Sequence, residues 1–198
     1  MSYSLDSVQD DCYENSAVLI NKLGITDEKI LNEVEEAIFA LNSIDIETNL
    51  KFENVNFEYY KTIHKMLFDD LYGWAGKVRV INLSKKGTSF CDYKKIEKIG
   101  INCFKRLGEN NYFTNLTFAD FIDEFTELYC DLNDLHPFRE GNGRVQRLFL
   151  TKLAKNAGFD INFSKVDTDL LMIATIKSVS GDIFMLKDIL SNIITITK

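Results

Sequence analysis

The 198-residue sequence predicts one mostly helical domain that carries a single β-hairpin. Apolar residues recur every three or four positions over most of the chain, and this period is typical of helices with one buried face. One segment near residue 80 alternates apolar and polar residues instead, which indicates a strand. The length suits one domain, and there is no internal repeat or linker, so we expect residues 1–198 to form a single domain.

The first helix is expected to begin after an N-terminal arm, residues 1–25, that is polar at first and turns apolar at Ala17 to Ile20. Thr26, followed by Asp27 and Glu28, is a typical helix start, because side-chain oxygens and negative charge both stabilise the N–H groups of a first turn. The expected apolar stripe of this helix contains Ile30, Leu31, Val34, Ala37, Ile38 and Leu41. The acidic residues Glu33, Glu35 and Glu36 are expected on its solvent side.

Polar caps and breaks predict six further helices. The second contains His64, which has no acidic or cysteine partner at metal-ligand spacing and is expected to be structural. Asp92 begins the third, and Thr117 with Asp120 forms a capping box for the fourth. Three more follow the motif described below. The apolar stripe of the sixth is expected to contain Leu170, Leu171, Ile173, Ala174 and Ile176.

The hairpin is expected within residues 76–91. Lys77 to Leu83 have the alternation and β-branched content of a strand, Lys85 to Gly87 supply a turn, and Thr88 to Cys91 return as a second strand. A lone hairpin is marginally stable by itself and has to pack on helices. It is either a surface excursion without a role or an open strand edge that pairs with an extended segment of another protein.

Charge and composition argue against several kinds of partner. The net charge of −7 disfavours direct binding of nucleic acid, which needs a basic surface, and docking on anionic membranes. A protein target fits this charge better. No apolar run approaches the length that spans a bilayer, and no signal peptide precedes the four cysteines. We therefore expect a cytoplasmic protein with free thiols.

The segment from His136 to Arg147, HPFREGNGRVQR, contains the only proline and one of the two histidines. Proline disfavours helical geometry in the residue before it, so the preceding helix is expected to end at about His136. The glycines on either side of Asn142 allow a turn whose N–H groups converge where the next helix begins. Such a turn is an anion site, because bare N–H groups and the positive end of the helix dipole face the ligand.

Side chains around this turn add the chemistry of phosphate transfer. Arg144 and Arg147 lie near one another in the first helical turn and can both bind phosphates. Glu140 offers a carboxylate to a magnesium ion, and His136 titrates near neutrality, which suits the removal of a proton from a hydroxyl. Each residue alone has a simpler explanation: a structural histidine, an ordinary turn, a solvated pair of arginines. Their joint occurrence favours a phosphate-chemistry site.

The complete segment resembles the motif of the Fic family, histidine-x-phenylalanine-x-acid-GNGR-x-x-arginine, with no departure. The resemblance implies an all-α, Fic-type helical domain with one β-hairpin flap over the active-site loop. It implies transfer of AMP from ATP to a Tyr, Thr or Ser hydroxyl of a target protein. The implied roles are general base for His136, buried anchor for Phe138, Mg²⁺ ligand for Glu140, phosphate nest for Gly141, Asn142 and Gly143, and distal-phosphate ligands for Arg144 and Arg147.

Two other segments resemble parts of the same family. The hairpin resembles the flap that docks the target, and Gly87, Thr88, Ser89 and Phe90 would lie nearest the substrate. The segment from Tyr13 to Ile25 resembles the N-terminal part of stand-alone bacterial toxins. Similar bacterial members modify type II DNA topoisomerases, so the resemblance implies a topoisomerase subunit as the target.

The resemblance also implies an inhibitor supplied by another protein. Many Fic enzymes are restrained by a helix with serine or threonine, three residues, glutamate, then glycine or asparagine. Glutamate precedes glycine or asparagine at Glu14, Glu53, Glu109 and Glu140, but the residue four positions earlier is never serine or threonine. We therefore expect a toxin restrained by a small antitoxin in trans. Two alternatives stay open: transfer of another phosphate-containing group, and a nucleotide-binding interaction module without activity.

Overall fold

The structure is a computed structural model that describes residues 4–5, 11–85 and 88–197. Over these residues the chain forms seven α-helices and five short strands. The helices are α1 (Glu28–Asn49), α2 (Phe57–Phe68), α3 (Ile96–Glu109), α4 (Phe118–Leu135), α5 (Asn142–Asn156), α6 (Thr168–Val179) and α7 (Phe184–Ile193). The strands are β1 (Ser4–Leu5), β2 (Leu83–Lys85), β3 (Thr88–Ser89), β4 (Phe159–Ile161) and β5 (Ile194–Ile196). The predicted helical domain with a hairpin is confirmed.

Helices α4 and α5 form the centre of the fold. Thr117 caps α4 as predicted, because its hydroxyl oxygen accepts a hydrogen bond from Asp120 N at 3.2 Å. The aromatic stripe of α4 is buried, and Phe149 of α5 packs edge-on against Tyr60 of α2 with 5.3 Å between ring centroids. Buried aromatic rings contribute much of the packing energy of a core. The loop between α4 and α5 therefore packs on a buried aromatic core.

Helix α1 is rotated about its axis relative to the sequence prediction. Ile30 and Leu41 were expected in the apolar stripe but are 51% and 69% exposed. Glu35 was expected on the solvent side but is buried. The prediction was wrong because a carboxylate can be buried when it is paired, and Glu35 contacts both Arg144 and Tyr72.

Helix α6 lies at the margin of the core, where it packs on α4 and α7. Leu171 and Ala174 of its predicted stripe are buried, whereas Leu170, Ile173 and Ile176 are exposed. The prediction is therefore right for two of the five residues and wrong for three. The helix is apolar on most of its surface, so periodicity could not identify the buried side.

The flap is a three-stranded antiparallel sheet in the order β1-β2-β3. Ser84 of β2 pairs with Ser89 of β3 on one side and with Ser4 of β1 on the other. Phe90 N donates to Leu83 O at 3.1 Å just beyond the paired residues. The N-terminal arm thus adds a strand to the hairpin, which the sequence did not predict.

The first predicted strand, Lys77 to Leu83, is wrong in extent. Only Leu83 belongs to β2, and residues 77–82 follow an irregular path. Arg79 explains the difference, because its side chain is buried and its backbone N–H donates to Pro137 O at 2.8 Å. The segment is therefore bound to the loop between α4 and α5 instead of to a neighbouring strand.

A second sheet pairs β4 with β5 and places Phe159 opposite Ile196. The sequence analysis missed it, because strands of three residues are too short to show a period. In the described part of the chain, no helix has both the length and the apolar content required to cross a membrane.

Candidate active site

The loop between α4 and α5 begins and ends with left-handed backbone geometry. Helix α4 ends at Leu135, and His136 adopts φ 38° and ψ 59°. Gly141 has φ 77° immediately before α5. A Cβ atom at Gly141 would lie 2.4 Å from the Phe68 ring, so glycine is needed there both for its backbone conformation and for space. Because Gly141 has no side chain to cap α5, the first N–H groups of this helix are open to a ligand.

Asn142 closes the loop between its two ends. Its Oδ1 atom accepts from Phe138 N at 2.8 Å, and its Nδ2 atom donates to Phe138 O at 2.8 Å. The side chain is buried, so both bonds are shielded from water. The sequence assigned Asn142 to the phosphate nest, and the structure gives its side chain the separate task of holding the nest in shape.

Phe138 and His64 support the loop from below. The Phe138 ring is fully buried and stacks on the His64 ring with 3.8 Å between centroids. Gly76 N donates to His64 Nδ1 at 2.8 Å, so the ring hydrogen is on Nε2, which lies 3.1 Å from Glu140 O. Burial lowers the pKa of His64 to about 3, and the ring is neutral at pH 7. His64 is thus structural, as expected, and it holds the main chain of Glu140.

His136 is buried and lies flat against the flap. Its ring stacks on Phe90 with 3.7 Å between centroids and 9° between planes. Its Nδ1 atom is 3.3 Å from Asn133 O and donates to it in the neutral form, which places the lone pair on Nε2. Burial, together with the nearby charges of Arg79 and Lys85, lowers the pKa of His136 to about 3, although the hydrogen bond to Asn133 O acts in the opposite direction. The imidazole is therefore neutral at pH 7.

Arg79 joins His136 to both ends of the flap. Its Nε atom donates to His136 O at 2.8 Å, and Nη1 donates to Ile81 O at 2.6 Å. Its Nη2 atom donates to Cys91 O. The side chain is buried. A role for Arg79 in the site was not predicted, because the sequence pattern places this residue in a strand.

The two motif arginines point to different places. Arg147 lines the cavity described below. Its Nη1 atom lies close to the backbone of Gly143, because a Cβ atom added to this glycine would be only 3.3 Å from it. Arg144 instead pairs with Glu35 of α1 and lies 4.7 Å above the ring of Phe68.

Tyr72 completes the cluster around Arg144. Its hydroxyl donates to Glu35 Oε2, and burial together with the Glu35 carboxylate raises the pKa of Tyr72 well above its usual value. Glu35 and Tyr72 were not predicted to take part in the site. Glu35 is one of several glutamates on its helix, and no pattern in the sequence distinguishes it. The cluster fixes the first turn of α5 against α1 and α2.

A cavity of about 240 Å³ lies between the loop, the flap and α6. The loop and α5 contribute His136, Gly143 and Arg147, and the flap contributes Lys85 and Phe90. The wall from α6 is mostly apolar and contains Leu171, Met172, Thr175, Ile176 and Val179. Glu140 and Arg144, both of which the structure describes, do not line the cavity. The cavity combines an imidazole, a guanidinium group and the first turn of a helix with an apolar wall.

Glu140 lies at the edge of the nest. Its Oε1 atom accepts from Gly141 N at 2.9 Å, which fixes the carboxylate beside the start of α5. Among the residues that the structure describes, no three His, Cys, Asp or Glu side chains form a metal cluster. A single carboxylate nevertheless fits magnesium, which proteins often hold with one or two carboxylates plus substrate phosphates and water.

Arg139 anchors the N-terminal arm to the loop. It pairs with Asp11, and its Nη2 atom is 3.3 Å from Asp11 Oδ1. Both side chains are mostly buried. Together with the pairing of β1 and β2, this contact places the arm against the catalytic loop and the flap.

The predicted flap residues have different surroundings. Gly87 lies outside the described residues, and Thr88 is described only by its backbone. Ser89 is exposed at the margin of the sheet. Phe90 faces inward onto His136 and lines the cavity.

Comparison with known proteins identifies the family of this chain. Residues 54–154 match the model of the Fic/DOC family. A relative from Escherichia coli K12, named a probable protein adenylyltransferase Fic, is 30% identical over 183 residues, which are 92% of this chain and 90% of that protein.

Two solved structures have the same fold. BepC from Bartonella tribocorum, with bound AMPPNP, has a TM-score of 0.91 at 26% identity and covers 96% of this chain and 98% of its own. A Fic domain from Bartonella quintana with bound ADP has a TM-score of 0.89 at 28% identity, with 95% of each chain covered. This chain is a nucleotidyltransferase, and it belongs to the Fic/DOC family.

Proposed function

We propose that this protein transfers AMP from ATP to a Tyr, Thr or Ser hydroxyl of a target protein. The observation that carries the proposal is the cavity, which brings the neutral imidazole of His136, the open N-terminus of α5 and Arg147 together. The Escherichia coli relative, named a probable protein adenylyltransferase, and the AMPPNP bound to BepC support it.

His136 acts as the general base. The hydroxyl of the target donates to Nε2 and passes its proton there as the hydroxyl oxygen bonds to the α-phosphorus of ATP. The bond from the α-phosphorus to the bridging oxygen breaks, and pyrophosphate leaves. The negative charge of bound phosphates raises the pKa of His136 from its low value in the free protein, which improves it as a base.

The start of α5 and the arginines bind the phosphates. The N–H groups of Asn142 and Gly143 stabilise oxygens on which charge increases during transfer. The N–H group of Gly141 donates to Glu140 Oε1 and would have to be released to join them, so its part in the nest stays a prediction. Arg147 is already directed into the cavity. Arg144 would have to leave Glu35 to reach a distal phosphate, so its part in binding stays a prediction.

Glu140 would hold Mg²⁺ next to the nest. When bound, the ion neutralises phosphate oxygens and so favours departure of pyrophosphate. Glu140→Ala should therefore remove most of the transfer activity and most of the magnesium dependence of ATP binding. Full magnesium dependence in that variant would assign the ion to another carboxylate.

The exposed edge of β3 would receive the target. Strand β1 already pairs with β2, so an extended target segment would add beside β3. Because Phe90 N donates inward to Leu83 O, the alternation of an antiparallel ladder turns the N–H and C=O of Ser89 outward. Ser89 would then present the target segment, with Thr88 and Phe90 beside it.

Label in the α-phosphate of ATP tests the proposal. Incubation with bacterial lysate should leave this label bound to protein, and His136→Ala should abolish the transfer while ATP binding persists. Transfer of γ-label would indicate a kinase and overturn the proposal. Absence of transfer by well-folded wild type that binds ATP would indicate a silent nucleotide-binding module, and a protein mass increase other than that of AMP would indicate another transferred group.

We also propose that the protein is a cytoplasmic toxin restrained by a small antitoxin in trans, with a type II DNA topoisomerase subunit as its target. The antitoxin is supported by the sequence, in which no glutamate before glycine or asparagine has serine or threonine four positions earlier. Wild-type protein expressed alone should slow bacterial growth and modify the topoisomerase subunit, whereas His136→Ala should do neither. Normal growth with active wild-type enzyme in the cell would contradict the toxin role.

A further inference from the structure

Arg79 is a buried charged residue that the proposed chemistry does not use. Its guanidinium group reaches three main-chain carbonyl oxygens, those of His136, Ile81 and Cys91. One of these belongs to the catalytic loop, one precedes β2 and one follows β3. A single side chain therefore joins the residue proposed as base to both ends of the flap.

Two backbone hydrogen bonds also join the ends of the flap to the loop and to the end of α4. Arg79 N donates to Pro137 O at 2.8 Å, and Cys91 N donates to Asp134 O at 2.9 Å. Hydrogen bonds from a charged donor are roughly twice as strong as neutral ones. The flap root and the loop thus form one bonded unit, with the guanidinium group at its centre.

The contact of Phe90 with His136 depends on this unit. Phe90 directly precedes Cys91, whose carbonyl accepts from Arg79, and its ring stacks on the His136 ring at 3.7 Å. The carbonyl of His136 accepts from the same guanidinium group. Both partners of the stack are therefore held through their main chains by Arg79, which fixes the ring of one over the ring of the other.

We propose that Arg79 is a positioning residue that fixes the flap relative to His136, so that a hydroxyl presented at β3 meets the base. It acts through main-chain bonds and touches no reacting atom. The inference rests on the proposed function for its effect on transfer, but its structural part can be measured without any transfer. Positioning of this kind matters because a displacement of about 1 Å can reduce a rate by about 10²-fold.

The experiment compares Arg79→Met and Arg79→Lys with Lys77→Met as the matched control. Lys77 is an exposed cation two residues away in the same segment, and its side chain donates to Gly73 O, outside the loop. Lysine at position 79 keeps the charge but cannot reach three carbonyl oxygens with one ammonium group.

The first readout is nuclear magnetic resonance of the histidine rings. The chain has two histidines, so His136→Ala identifies both sets of signals. A ring stacked face to face shifts the signals of its neighbour upfield. In Arg79→Met the His136 signals should move towards the values of an unstacked histidine, while the His64 signals, set by Phe138, should stay in place. Lys77→Met should change neither.

The second readout is kinetic. Arg79→Met should reduce the transfer of α-label to lysate protein about 100-fold, and Arg79→Lys about 10-fold, while the Kd for AMPPNP changes less than threefold. A general loss of folded protein would instead lower the binding capacity and the rate together, which titration with AMPPNP would reveal.

Three outcomes decide the proposal. His136 signals and transfer rates that stay within twofold of wild type in folded Arg79→Met would overturn it. If Arg79→Met does not fold, Arg79→Lys is judged by the same measurements, and failure of both to fold would make Arg79 a stability residue and also overturn it. If wild type transfers no label, the proposed function fails, and the histidine signals still decide whether Arg79 positions the stack.

Discussion

The catalytic loop and the flap face the same cavity but are held by different means. In the loop, Phe138 and Asn142 are buried, and side-chain hydrogen bonds hold the main chain at several points. In the flap, the strands contain two or three residues, and Ser89 is exposed. The residues proposed for catalysis are thus fixed by packed side chains, whereas the edge of β3 that is proposed to bind the target is defined by its backbone. In the proposed mechanism, the rigid loop fixes the reacting groups, and the edge of the flap accepts different target segments.

The largest effect is expected from opening the loop clamp. Asn142→Ala leaves Phe138 N–H and C=O buried without their partners, which should lower the free energy of unfolding by about 2–4 kcal/mol. Asn142→Asp keeps an acceptor for the N–H group and should cost less. Denaturant unfolding of the three proteins measures this. Equal stability of Asn142→Ala and wild type would show that the loop does not depend on the clamp.

Acid should destabilise the folded protein through its two buried histidines, His64 and His136. Unfolded histidine binds a proton below pH about 6.5, whereas His136 and His64 stay neutral in the folded protein down to about 3. In this range the unfolded state binds more protons, so stability is lost as the pH falls, by about 1.4 kcal/mol per pH unit for each histidine.

Comparison with His136→Ala isolates one of these contributions. Both proteins share the same carboxylates, so between pH 5.5 and 4.5 wild type should lose about 1.4 kcal/mol more than the variant. Equal slopes in denaturant unfolding would mean that His136 is not held neutral by its burial.

The smallest effect is expected at the flap edge. Ser89→Pro removes the outward N–H without removing a bond of the hairpin, so it should raise the KM for the labelled target about tenfold. Ser89→Ala keeps the N–H and should change the KM less than twofold. Thr88→Pro should additionally weaken the hairpin, because its N–H faces β2. If alanine and proline at Ser89 had the same effect, strand pairing would be refuted.

Sequence reasoning predicted local features well and long-range pairing poorly. The end of α4 at His136 followed from Pro137, and the cap of this helix followed from Thr117, because both depend on neighbouring residues. The burial of Glu35 and the path of Arg79 depend on partners 109 and 57 residues away, so no local pattern could announce them. The motif predicted which residues gather at the site, but not that Arg144 faces α1.

The bonds of Arg79 also bear on how such an enzyme can change its target during evolution. They are made to main-chain oxygens at Ile81 and Cys91, which every amino acid supplies. If the flap docks the target as proposed, substitutions along it alter which proteins it accepts and leave its attachment to His136 intact. Insertions and deletions between these two anchor points are less tolerable, because they change the spacing. A library that randomises flap side chains at constant length is accordingly a suitable starting point for new specificities.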